Sequence, residues 1–270
     1  MHRPAITSLR FATFLAPNML PVYARIVAHI GDRLRLPTTL TVGTSFADFE
    51  RGVIDAGFIC GLPYVDLTRC GEPAIELLAA PVLQGERYQG RPIYYSDVIV
   101  RAECAARQFL DLRGCRWAYN ERDSHSGYNI TRYTLVRLGE TRGFFGRVVE
   151  AGYHQTAIRM VVDGQVDAAA IDSQVLAVEL RDHPELGEAI RVVETLGPAT
   201  IQPVVTARRV PTPIKAELRV ALCALGDDAA ERRTLDAGLI ERFVPVGDDA
   251  YDDIRAMVAA AAAADFLTLR

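Results

Sequence analysis

The run Trp117-Ala-Tyr-Asn-Glu-Arg-Asp-Ser-His-Ser-Gly-Tyr128 sets three hydrogen-bonding side chains beside a glycine: Ser124, His125, Ser126 and Gly127. Arg116–Tyr119 before it reads as a strand, and Ser126–Leu138 reads as a helix, so the four residues sit where a strand hands over to a helix. The first turn of a helix leaves backbone N–H groups without intrahelical acceptors. The aligned peptide dipoles add partial positive charge at the same place, and Ser124 or Ser126 is suited to cap it. A tetrahedral anion would meet amide and hydroxyl donors together there. Gly127 removes a side chain where such an anion would approach the backbone. Plain N-capping in a loop accounts for Ser-x-Ser-Gly equally well, so the turn needs other residues to make a site.

Four further groups are candidates. His154 follows Gly152 and Tyr153 between a strand over Arg147–Glu150 and a helix over Gln155–Asp163. It is placed to donate to an anion oxygen, more strongly when protonated, or to serve as a cap or buried histidine. Asp172 ends the apolar run Ala168–Ile171. It could accept from a ligand hydroxyl, amine or protonated oxygen, although its charge would repel a fully ionised phosphate. It is equally an N-cap for a helix starting at Ser173. Tyr94 and Tyr95 lie in the strand-like run Ile93–Arg101, where neighbours point to opposite faces, so one of the two faces a site. Asn18 stands at a helix start, where asparagine is often only a cap. Tyr119 and Tyr128 read as packing residues with satisfied hydroxyls, Trp117 as core, and His2, His29 and His183 as surface residues. Five cysteines, Cys60, Cys70, Cys104, Cys115 and Cys223, make an odd set without a CxxC pair, so free thiols are expected rather than zinc or a disulfide framework. No nucleophile–base spacing and no metal-ligand cluster stands out.

The elements that would position these residues alternate from the start. Strands are expected at Leu9–Leu15, Thr39–Gly43 and Gly57–Cys60, with helices at Leu20–Leu34, Phe46–Arg51 and Tyr64–Arg69. A second series follows Ile93–Arg101: strands at Arg116–Tyr119, Arg147–Glu150, Ala168–Ile171 and Ile190–Thr195, with helices between. After Gln202–Thr206, the chain from Pro213 onward reads as helices, ending in an alanine-rich one over Asp252–Leu267. This order predicts α/β architecture with mostly parallel sheets, whose ligands gather at strand C-termini. The 270 residues suit two lobes. Residues 1–94 and 204–270 form the first and residues 95–203 the second, joined by crossing strands near Ile93–Arg101 and Glu194–Val205, with a cleft as the ligand site. A net charge of −4 offers no basic field for a nucleic acid. No apolar run reaches the length of a membrane helix.

Several of these segments, in order along nearly the whole chain, resemble the PhnD-like substrate-binding components of phosphonate, phosphite and phosphate ABC transporters. They are Thr13-Phe-Leu-Ala-Pro-Asn18, Asp55-Ala-Gly-Phe-Ile-Cys-Gly-Leu-Pro-Tyr64, Tyr94-Tyr95-Ser96, Asp123-Ser-His-Ser-Gly127, and Gly152-Tyr-His154 with Gly164-Gln-Val-Asp167-Ala-Ala-Ala-Ile-Asp172. The resemblance implies a type 2 periplasmic-binding-protein fold of two α/β lobes. It implies that Ser124, His125 and Ser126 hold the anion's oxygens, His125 standing for a family threonine. It further implies contributions from Tyr94 or Tyr95, from His154 and from the first lobe near Phe46. Phe46 stands where some members carry tyrosine. Gln174 and Gln202 stand where members that bind aminoalkylphosphonates carry acidic side chains.

The leading expectation is a non-enzymatic solute-binding protein for a small oxyanion, working with an ABC permease, as a monomer, without cofactor, nucleic acid or membrane insertion. The family implies a periplasmic or extracytoplasmic place. The N-terminal run Met1-His-Arg-Pro-Ala-Ile-Thr-Ser-Leu-Arg lacks the apolar core of a signal peptide, which leaves a cytoplasmic location open. That feature favours the alternative, a cytoplasmic enzyme on a repurposed binding-protein fold acting on a small organic anion, with His125, His154 and Asp172 as acid or base groups. A ligand-sensing partner of a regulator is a third possibility.

Overall fold

The computed structural model describes residues 6–69 and 71–269; Met1–Ala5, with His2, and Cys70 lie outside the described residues. The chain runs β1 (Leu9–Thr13), α1 (Leu20–Leu34), β2 (Thr38–Val42), α2 (Ala47–Glu50), β3 (Ala56–Phe58), α3 (Gly61–Thr68) and β4 (Ile75–Leu83). Next come β5 (Ile93–Arg101), β6 (Arg116–Tyr119), a π-helical turn (His125–Asn129) continuing into α4 (Ile130–Arg137), β7 (Arg147–Glu150), α5 (His154–Val162), β8 (Ala168–Asp172), α6 (Ser173–Asp182), α7 (Leu186–Ala189) and β9 (Ile190–Thr200). The last part holds β10 (Val204–Ala207), α8 (Thr212–Cys223), α9 (Ala229–Ala237), β11 (Ile240–Val244) and α10 (Asp252–Ala263).

Two compact units result: Met1–Pro92 with Ile201–Ala250, and Ile93–Thr200 with Tyr251–Arg270. The first has a six-stranded sheet in the order β11-β4-β10-β3-β1-β2. There β1 runs parallel to β2 and β3, while β10 and β11 join antiparallel. Its helix α1 buries Val22, Tyr23, Ile26, Val27 and Ile30, the 3–4 spacing of one apolar stripe. Tyr23 stacks on Phe58 of β3 at 4.3 Å. At the edge of this core the buried Asp55 carboxylate is held by Arg10 (2.9 Å) and Arg209 (2.8 Å), which together with the Arg10 backbone N–H holds its carboxyl below the usual aspartate range despite burial.

The second unit has a five-stranded sheet in the order β7-β6-β8-β5-β9. Strand β6 is parallel to β7 and β8, and β5 is antiparallel to β8 and β9. The Ala-Ala-Ala-Ile run reads as a strand with no polar face because β8 is central and buried throughout. Trp117 is core, fully buried and stacked on Phe145 at 4.4 Å.

Three features differ from the sequence expectation. Strands β4 and β11 were not foreseen. Pro81 interrupts the apolar pattern of β4, and the five-residue β11 lies between helices. Both pair antiparallel, so the sheets are mixed rather than mostly parallel. Finally, residues 251–270, which the sequence reading placed in the first lobe, group with the second unit. Asp253 accepts from the Thr200 backbone N–H at 2.7 Å, and the Leu267 carbonyl accepts from Arg132 Nη1 at 2.9 Å.

Candidate functional site

Strand β6 delivers the chain to the turn. Ser124 adopts an extended backbone and caps the helix, its Oγ accepting from Gly127 N–H at 3.0 Å. Asn129 N–H then reaches back to Ser124 O and Ile130 N–H to His125 O, five residues apart. This wider turn keeps one more N-terminal amide outside the helix ladder than an α-turn would. His125, Ser126 and Gly127 are all buried.

Two strands fix the turn. On β5, Ser96 Oγ donates to the Ser126 carbonyl at 2.7 Å. Tyr94, on the same face of β5 as Ser96 by strand alternation, is fully buried with its ring 6.3 Å from that of His125. Tyr95, half-buried, donates its backbone N–H to Ser173 Oγ; of the two tyrosines, Tyr94 is the one beside the turn. The loop after β7 is tied to the end of β6 by Gly152 N–H to Asn120 O at 2.7 Å. Gly152 does so at φ 82, a conformation that glycine adopts without strain. That loop delivers His154, the first residue of α5, to Ser126: Nε2 lies 3.3 Å from Ser126 Oγ. Among the described residues, His154 Nδ1 and Asn120 Oδ1 are buried without a hydrogen-bond partner.

Gly127 also has a packing reason to lack a side chain. A Cβ built on it would stand 1.9 Å from Asn120 Oδ1 and 3.3 Å from His154 Cε1. The missing side chain admits the Asn120 carboxamide. Asp172 proves to be the N-cap of α6, its Oδ1 accepting from Gln174 N–H (2.8 Å) and Val175 N–H (3.2 Å). His154 is not a charged donor. Burial pushes its imidazole, and that of His125, down to about 3, with the Arg132 charge adding to the effect at His125. Both rings are therefore neutral at physiological pH and act as hydrogen-bonding groups only.

The two remaining candidates lie in the first unit. Phe46, half-buried, is the residue before α2 and stacks on Phe14 at 4.4 Å. Asn18 lies inside the short 3-10 turn Pro17–Met19 and is not the cap residue of α1, which is Met19. Tyr119 and Tyr128 are packing residues as expected: Tyr119 donates to Glu150 at 2.9 Å, and Tyr128 OH accepts from Leu269 N–H at 3.2 Å. Cys60, Cys104, Cys115 and Cys223 are in the thiol form. Among the described residues no cluster of three His, Cys, Asp or Glu could hold a metal, and no helix is long and apolar enough to cross a membrane.

Sequence reasoning missed Asn120 and Ser96. A signal existed for each: Asn120 directly follows the C-terminus of β6, the end of a strand where ligands gather in such sheets, and Ser96 shares the face of Tyr94.

The fold has close counterparts. The binding-protein component of an ABC phosphonate transporter from Pseudomonas aeruginosa superposes with a TM-score of 0.80 at 16% identity, over 93% of this chain and 85% of that one. PhnD1 from Prochlorococcus marinus, solved in complex with methylphosphonate, gives 0.81 at 17% identity over 94% and 97%. The alkanesulfonate-binding protein SsuA from Xanthomonas axonopodis pv. citri, bound to MOPS, gives 0.65 at 18% identity over 98% and 96%. These likenesses establish the fold. Residues 11–251 match the family described as the periplasmic substrate-binding protein of phosphonate ABC transporters. The chain therefore belongs to that family, whose members are binding components of transporters and not enzymes.

Proposed function

We propose that the chain captures a small phosphorus oxyanion, a phosphonate, phosphite or phosphate, at the turn Ser124–Gly127 and passes it to an ABC permease. The observation that carries this reading is the environment of Ser126. Its hydroxyl is buried at a helix start beside a neutral histidine whose second ring nitrogen has no partner among the described residues. A serine oxygen accepts and its O–H donates. Ser124 Oγ accepts from Gly127 N–H, which leaves its O–H to an anion oxygen. With the one proton of the neutral His154 ring on Nε2, that N–H donates to Ser126 Oγ and leaves the Ser126 O–H to the anion as well. Amide dipoles of the turn supply the electrostatic attraction, His125 and Tyr94 complete the donor set, and His154 contributes by orienting the Ser126 hydroxyl. Phe46 and Asn18 of the first unit are proposed as further contacts.

The ligand's substituent is proposed to carry no ammonium group. Gln174 and Gln202 stand where aminoalkylphosphonate binders carry acids, and Asp172 is engaged as a helix cap. Phosphite, methylphosphonate and phosphate fit this description better than aminoethylphosphonate. The Prochlorococcus protein's methylphosphonate complex supports the same direction. The chain is proposed to act as an extracytoplasmic monomer, in keeping with the family's periplasmic place.

A thermal-shift and calorimetric screen of phosphate, phosphite, methylphosphonate, aminoethylphosphonate and sulfate tests this. Binding to the folded state raises the melting point by mass action, by about 2.7 kcal/mol of stability at 100 times Kd. The expected order places the three ammonium-free phosphorus anions first. If none of the five anions shifts the melting point, the oxyanion reading fails.

A further inference from the structure

His125, Asn129 and Arg132 stand one helical turn apart on one face of the segment from the π-turn into α4, a spacing that brings side chains into contact. Arg132 Nη2 donates to Asn129 Oδ1 at 2.7 Å. Asn129 Nδ2 lies 3.1 Å from His125 Nδ1. The chemistry of the three groups leaves one arrangement. A guanidinium only donates, so the Asn129 oxygen must face Arg132. The carboxamide NH2 then faces His125, and it too only donates. His125 Nδ1 must therefore carry a lone pair, and the single proton of the neutral ring sits on Nε2. The arrangement also excludes the doubly protonated ring, whose Nδ1–H would confront the NH2 group. His125 and Asn129 are both fully buried, so water cannot substitute for either partner. Arg132 is itself anchored, with Nη1 donating to the Leu267 carbonyl at 2.9 Å and its guanidinium over the Tyr128 ring at 5.6 Å.

We propose that Asn129 and Arg132 are positioning residues that lock His125 as its Nε2–H tautomer, a neutral donor of fixed direction for the oxyanion at the turn Ser124–Gly127. The inference rests on the binding role proposed above for that turn. It explains how an imidazole serves beside two hydroxyls: the lock gives the ring one N–H donor and no charge. The cation in the relay stays two residues away from the anion and acts through the amide.

Nitrogen NMR of the histidine-labelled full chain, with signals assigned by single histidine substitutions, reads the tautomer directly. In the wild type, Nδ1 of His125 is expected to resonate as an unprotonated nitrogen and Nε2 as a protonated one, unchanged from pH 7.5 to 5. Asn129→Asp places an acceptor against Nδ1 and is expected to move the proton there. The uncharged Asn129→Leu removes the donor without adding charge. It is expected to mix the tautomers and weaken methylphosphonate, phosphite or phosphate binding roughly 10-fold. A wild-type Nδ1–H, or a titration of His125 near 6.5, overturns the lock. A mixed tautomer in Asn129→Leu with unchanged affinity overturns the donor role. If the wild type shows Nε2–H and no oxyanion binds at all, the lock stands and the binding reading fails.

Discussion

At the scale of single residues, the turn separates groups that would hold a ligand from groups that hold the turn. In the proposed reading Ser126 is of the first kind: its carbonyl is secured by Ser96 and its hydroxyl faces His154. Ser126→Ala should leave the fold intact and weaken oxyanion binding by about 1–3 kcal/mol, the cost of a hydrogen bond to a charged group, read by calorimetry as a Kd raised some 5- to 150-fold. Gly127 is of the second kind. Gly127→Ala would drive a methyl into the Asn120 carboxamide, and overpacking of this sort costs about 1–3 kcal/mol. Asn120→Ala removes both of the Asn120 atoms that the methyl meets. The double variant should therefore lose less stability than the two single losses added, a coupling that denaturant titration of all four proteins measures. An additive result would mean that the turn accommodates the methyl by moving elsewhere.

At the scale of elements, helix ends and strand ends do the positioning, and here the sequence was readable to different depths. Asp172 capping α6 was one of two readings open from sequence, and the structure settles on it through two backbone bonds. Asp172→Ala should lower stability by about 0.5–2 kcal/mol, whereas Asp172→Asn should retain most of it, because asparagine caps as well as aspartate. A large loss of oxyanion affinity in Asp172→Asn without loss of stability would show that the carboxylate does more than cap. The strand β8 was legible because an unbroken Ala-Ala-Ala-Ile run fits a strand covered on both faces. The nine-residue β4 was not, because its partners β10 and β11 lie far along the chain and Pro81 breaks its pattern. In the site, Ser124–Gly127 was visible as four adjacent residues of suggestive type. The Ser126–His154 pair was visible only as two separate candidates. What joins them is a backbone bond from Gly152 to Asn120, a pairing of main-chain atoms that residue types do not announce. The same holds for Asp172, whose side chain gives no sign from sequence alone of whether amides or a ligand will claim it.

At the scale of the whole molecule, two buried neutral imidazoles make stability depend on pH between their folded and unfolded titration ranges. His125 and His154 titrate at about 3 in the folded chain against 6.5 for an exposed histidine. The unfolded chain therefore binds more protons between these values. The contribution is complete above 6.5 and is lost as pH falls toward 3. The carboxyls held low by ion pairs, Asp55, Asp167 and Glu231 among them, start from 3.8 or 4.5, so their contribution is lost mainly below that range. Between pH 7 and 5 each of the two histidines contributes a loss of about 2 kcal/mol. At this chain length that corresponds to a melting point lower by about 4–8 °C per histidine. His154→Gln keeps a polar group of similar reach but cannot titrate, so its melting curve should fall about half as steeply over the same interval. A wild-type melting point that stays level from pH 7 to 5 would mean that both rings are solvated in the folded chain, and the wall of neutral donors around Ser126 would have to be redrawn with charge in it.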